Sequence, residues 1–89
     1  MQIIYTKRFS KDLDGIGHDE ILKRRLLEQI EDMKQASSIF DLKDVKKIKG
    51  YDSYYRIRLG DYRLGVKHTE QGLEMLRFLH RKDIYKGFP

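Results

Sequence analysis

The chain has 89 residues, 39% hydrophobic and 37% charged, with a formal net charge of +5 and no cysteine. That length supports one domain, 1–89, with a single modest core, and the missing cysteines exclude disulfide scaffolds and thiolate metal sites. There is no signal-type apolar stretch at the start and no run approaching about 18 apolar residues, so a cytoplasmic protein without membrane association is expected.

The chain opens with a β-branched and aromatic run at residues 2–5, which predicts a short strand, and Thr6 then offers itself as a helix N-cap. Residues 7–16 fit a first helix with Phe9, Leu13 and Ile16 along one face, ended by Gly15 and Gly17. Asp19 caps a second, longer helix to about residue 35, whose apolar stripe is Leu22, Leu26, Ile30 and Met33, widened by Leu27. Residues 36–53 read as a long connection, and within it Lys46, Lys47 and Lys49 form the most basic short stretch. A hairpin follows, then a polar turn at 69–72 and a strand from 73 to about 79 with Leu76 and Phe78 turned towards the helices. The tail, residues 80–89, is basic and aromatic. This order is α+β: a short strand, two helices and a three-stranded antiparallel meander, with the helices on one sheet face and the other face open.

The hairpin is the most informative segment. Gly60-Asp61 suits a two-residue loop, because glycine accepts the positive φ such turns demand. That loop sets Leu59 opposite Tyr62, Arg58 opposite Arg63, Ile57 opposite Leu64 and Arg56 opposite Gly65. Alternation then gives an apolar face of Tyr55, Ile57, Leu59, Tyr62, Leu64 and Val66, and a second face of Arg56, Arg58, Arg63 and Lys67. A solvated outer face alternates in the same way. This one is distinguished by its single sign, with no acid on the hairpin except at the turn. Like charges directly opposite each other cost stability on a scale of roughly 0.2–1 kcal/mol per pair. The charge asymmetry of the whole chain agrees: residues 1–45 carry eight Lys or Arg against nine Asp or Glu, and residues 46–89 carry eleven against five, balances of −1 and +6. A polyanionic partner follows, nucleic acid ahead of membrane, because no basic amphipathic helix accompanies the excess.

In the lead-in at residues 42–50, the run Tyr55-Arg56-Ile57-Arg58-Leu59-Gly60-Asp61-Tyr62-Arg63 and the ending His80-Arg81-Lys82-Asp83-Ile84-Tyr85, the sequence resembles the RelE/ParE superfamily of bacterial and archaeal toxin–antitoxin toxins. Size and element order are similar as well, so the resemblance covers essentially the whole chain. RelE-like members are mRNA endonucleases of the ribosomal A site and keep an arginine, shortly followed by a tyrosine, after the last strand. They commonly carry a histidine where His80 stands. ParE-like members poison DNA gyrase and generally lack this arrangement. The resemblance therefore implies a metal-independent endoribonuclease without cofactor, acting on ribosome-bound mRNA and inhibited by a RelB-like or other acidic, amphipathic antitoxin that wraps the basic face. A ParE-like gyrase inhibitor and a non-toxic nucleic-acid-binding module are the alternatives.

Cleavage by the 2′-hydroxyl needs a base, cations for the pentavalent phosphate and an acid for the leaving 5′-oxygen. The sequence has no His, Asp and Glu in metal-ligand spacing, so no metal site is expected. Arg63 and Arg81 resemble the family's transition-state arginines, and guanidinium binds phosphate oxygens bidentately. Arg56 and Arg58 stand where the best-known RelE toxins carry lysines, one of them thought to be the base. Arginine does not deprotonate under ordinary conditions. Base duty then falls to His80 or Tyr85, or activity is reduced; Tyr85, among arginines, would ionise more easily or stack on a codon base. Arg56, Arg58, Lys46, Lys47, Lys49 and Lys82 are assigned to binding RNA phosphate.

Overall fold

Capping side chains start the first two helices of the computed structural model, which spans residues 1–89. A short strand, β1 (Ile3–Tyr5), leads into Thr6, whose hydroxyl accepts from the Phe9 N–H and starts α1 (Lys7–Gly15). Asp19 accepts from the Leu22 N–H at 3.0 Å and starts α2 (Glu20–Gln35). A single 3-10 turn (Ile39–Asp41) precedes β2 (Val45–Lys47), β3 (Tyr54–Leu59), β4 (Tyr62–Thr69), β5 (Gly72–His80) and α3 (Arg81–Gly87). No helix is long and apolar enough to cross a membrane.

The five strands form one sheet in the order β1-β5-β4-β3-β2, in which β2 to β5 make an antiparallel meander and β1 lies parallel to β5. The class is α+β, as expected, and the β3–β4 register is the one the two-residue loop dictates: Leu59 pairs Tyr62, Arg58 pairs Arg63, Ile57 pairs Leu64 and Arg56 pairs Gly65. Gly60 sits at φ +61°, and a Cβ there would stand 2.8 Å from the Arg25 Nη1 on α2. One sheet face carries the buried Tyr55, Ile57, Leu59, Leu64, Val66, Leu73, Met75 and Phe78, packed on Phe9 of α1 and on Leu22, Leu26, Ile30 and Met33 of α2. Leu27 does not widen the α2 stripe. It is 65% exposed.

Three further expectations need correction. The connection at 36–53 contains β2, so the meander has four strands rather than three. A register shift opposite Gly65 and Val66 leaves Leu76 without a partner, a bulge that flips the parity of β5. Met75 and Phe78 therefore face the helices, while Leu76 faces the other side with Tyr54 and Phe88. Finally, the tail is a helix, and the second sheet face is not open: α3 lies across it with Ile84 and Phe88 buried. Glycine makes this docking feasible, because a Cβ on Gly65 would come within 2.7–2.8 Å of three ring atoms of Phe88.

Gly65→Ala is accordingly expected to lower unfolding free energy by about 1–3 kcal/mol, read from denaturant midpoints. The same substitution in a Phe88→Ala background should cost little more, since the ring it strikes is gone. Equal costs in both backgrounds would contradict this packing.

Candidate functional site

Pairing of Lys46 with Arg56, and of Arg58 with Arg63, puts four cations on the α3 side of the sheet. Together with Tyr85 from α3, and with Asp44 and Val45 ahead of and within β2, they line a cleft of ≈ 390 Å³. The chain's three ion pairs lie elsewhere, so none of these four cations has a carboxylate partner. The Arg63 Nη1 donates to the carbonyls of Gly60 at 2.8 Å and Tyr62 at 2.9 Å, which fixes the guanidinium beside the turn and leaves its other N–H groups for a ligand. The Arg56 Cζ stands 4.7 Å from the centroid of the Tyr85 ring. Arg56 holds the Tyr85 phenol below its usual range, as a donor beside the oxygen and as a charge, with Arg63 and Lys46 adding to the effect and desolvation opposing it.

The structure gathers Arg56, Arg58, Arg63, Lys46 and Tyr85, but it does not bring the remaining candidates into the same cleft. His80 caps α3, its Nδ1 accepting from the Lys82 N–H at 3.2 Å. Its ring meets Tyr62 edge-on at 5.5 Å, and Tyr62 in turn stacks on buried Phe78 at 5.2 Å. That is the core side of the sheet, away from the arginines. Arg81 and Lys82 form the exposed first turn of α3. The Arg81 N–H is held by the Asp61 carbonyl at 2.7 Å, and its side chain leaves the helix on the same side as Tyr85, four residues on. Lys47 and Lys49 border a separate depression beside Tyr51 and Asp52.

Two features escape sequence reasoning. Asp44, at φ 58°, lines the cleft, and its backbone carbonyl accepts from the Arg58 N–H at 3.0 Å. An aspartate inside an apparent connection carries no signal of this. The other is Asp12 of α1, whose carboxylate takes Arg77 of β5 bidentately, Nε to Oδ2 at 2.8 Å and Nη2 to Oδ1 at 3.1 Å. A groove of ≈ 510 Å³ between α2 and the approach to β2 exceeds the arginine cleft in volume. Its Glu28, Asp32, Asp41 and Asp44 offset Arg25, Lys43 and Arg58, so it is the poorer place for a polyanion.

A family model described as ParE toxin of type II toxin-antitoxin system, parDE, matches residues 3–85. Toxin RelE3 of Methanocaldococcus jannaschii is 44% identical over 91 residues, covering 100% of both chains. Among solved structures, the RelB-RelE antitoxin-toxin complex from Methanococcus jannaschii superposes with a TM-score of 0.80 at 40% identity, over 97% of this chain and 99% of the other. The Escherichia coli DinJ-YafQ complex shares the fold, with a TM-score of 0.64 at 17% identity over 94% and 97% of the two chains. The chain belongs to the ParE toxin family of type II toxin–antitoxin systems, close to the RelE toxins.

Proposed function

We propose that this toxin is a ribosome-dependent mRNA endoribonuclease, cutting A-site mRNA by attack of a 2′-hydroxyl on the adjacent phosphate to leave a 2′,3′-cyclic phosphate and a 5′-hydroxyl. The observation that carries this reading is the cleft itself: three arginines without carboxylate partners beside a tyrosine whose phenol Arg56, Arg63 and Lys46 hold below its ordinary value. Arg63 and Arg81 bind the scissile phosphate and neutralise the charge that grows on it. Arg56 and Arg58 hold the flanking backbone, and Lys46, Lys47, Lys49 and Lys82 add salt-dependent affinity for ribosomal RNA. Tyr85 takes the 2′-hydroxyl proton as phenolate, and the departing 5′-oxygen takes up a proton from water to become the 5′-hydroxyl. Tyr85 is favoured over His80, whose Nδ1 is occupied by the Lys82 N–H on the other side of the sheet. The chemistry asks for no metal or cofactor.

Its partner is a cognate antitoxin, as in the RelB and DinJ complexes of its structural neighbours. An amphipathic, acidic segment suits the unpaired arginines, and the exposed Ile21, Leu27 and Phe40 offer apolar contacts outside the cleft.

The matching family model bears the ParE name, which keeps a gyrase-directed reading in view. Induced expression separates the two: mRNA ends inside codons with intact DNA support the nuclease, whereas DNA breaks with intact mRNA support gyrase poisoning. Arg63→Ala and Arg81→Ala should each reduce cleavage of ribosome-bound mRNA by about 10²–10³-fold and relieve growth arrest, with cooperative unfolding retained.

The rate should also rise with pH below the ordinary tyrosine value of 10.0, because cations lower the Tyr85 phenol and so increase the phenolate present at a given pH. Arg56→Gln removes the main cause and should move both the phenol titration and the limb of the rate profile upward. A limb that stays in place in Arg56→Gln, or survives in Tyr85→Phe, would remove Tyr85 as the base.

A further inference from the structure

Tyr85 is 72% exposed. Little packing holds its ring, so its position over Arg56 depends on where α3 is held. Ile84 is buried beneath the helix, and the Arg81 N–H fastens the first turn to the hairpin at Asp61. The last turn is held by Arg77. From the α3 side of β5, opposite Gly65, its Nη1 donates to the Gly87 carbonyl at 3.2 Å, two residues beyond Tyr85. A Cβ on Gly87 would stand 2.9 Å from the same nitrogen, so the guanidinium lies directly against this turn.

The guanidinium is itself fixed from behind. Asp12 binds it bidentately and also accepts from the Phe78 N–H at 2.9 Å, where β5 extends past the end of β1 and lacks a strand neighbour. With side chains only 16% and 10% exposed, this is the one ion pair in the chain withdrawn from solvent.

We propose that the Asp12–Arg77 pair is a positioning device for the cleft: anchored on α1 and β5, it grips the last turn of α3 and thereby sets Tyr85 over Arg56. Its effect on cleavage rests on the nuclease reading given above; its effect on Tyr85 does not. A pair that served only to stabilise the fold would change melting but leave Tyr85 and its neighbours in register.

The test uses Asp12→Asn, alone and combined with Tyr85→Phe. The Tyr85 ionisation is isolated by subtracting the phenolate absorbance of the matching Tyr85→Phe protein. The groups that face this phenol are Arg56 from β3, Arg63 from β4 and Lys46 from β2, and all remain in the variants. Asp12→Asn should shift the Tyr85 ionisation upward towards 10.0 while cooperative unfolding persists. It should also slow cleavage of ribosome-bound mRNA by about ten- to a hundred-fold, and add little to the loss already caused by Tyr85→Phe.

An unchanged Tyr85 titration in folded Asp12→Asn overturns the proposal, and so does an equal loss of cleavage in both backgrounds. If Asp12→Asn has no cooperative transition, Arg77→Lys decides by the same titration, because lysine keeps the charge but cannot hold Asp12 in a fork and reach Gly87 as well. A wild-type protein that cleaves nothing would sink the nuclease reading alone, and the titration would still decide the positioning role.

Discussion

One withdrawn ion pair organises three elements of this small protein. Asp12 lies on α1, Arg77 on β5, and the carbonyl that Arg77 reaches lies on α3. Asp12 also satisfies the Phe78 N–H on the part of β5 that β1 does not cover, which would otherwise be left without a partner. Charges taken from water add little net stability as a pair, but removing one partner strands the other and costs about 3–5 kcal/mol. The value of such a pair lies in specifying geometry. Here it fastens helices on opposite faces of one sheet to the same strand.

That fastening permits a face that local energetics disfavour. Arg58 stands directly opposite Arg63, with Arg56 and Lys46 paired beside them, and each like-charge opposition weakens the sheet by up to roughly 1 kcal/mol. The opposite face offsets this with a continuous apolar layer of β3, β4 and β5 on α1 and α2. Partial relief comes from within: the Tyr85 ring lies beneath Arg56, and the carbonyls of Gly60 and Tyr62 accept from Arg63. Neither contact neutralises a charge. The cleft remains cationic, a configuration whose natural complement is a polyanion.

The parts of the fold legible in the sequence are those governed by local rules. A two-residue loop and strict alternation determine the β3–β4 register, and so the placing of Arg56, Arg58 and Arg63. The capping chemistry of Thr6 and Asp19 locates both long helices. What escaped depends on tertiary contacts. β2 is three residues long, carries Lys46 and Lys47, and exists because β3 supplies a partner. α3, seven residues long, is too short to be stable alone and takes its stability from Ile84 and Phe88, the Phe88 ring lying where Gly65 leaves the sheet without a side chain. One unpaired residue, Leu76, inverts the inward pattern of β5, and nothing in its neighbours announces it. Asp12 and Arg77 lie 65 residues apart, beyond the reach of any spacing rule.

These misses bear on the chemistry. A histidine after the last strand looks like a proton acceptor in a linear sequence, yet a helix starting at Arg81 turns His80 into its N-cap and commits Nδ1 to a backbone N–H. The same helix carries Tyr85 back over the sheet, to the one position where Arg56 can bias its phenol towards ionisation. Arginine at positions 56 and 58, where the resemblance to RelE toxins leads one to expect lysine, is a side chain unable to give up its proton, since guanidinium stays charged. It also supplies a permanent cation that makes a neighbouring tyrosine more acidic. On the proposed mechanism, the substitution that seems to take a base from the hairpin moves that duty to the helix, and the cost is that catalysis becomes dependent on how α3 is held.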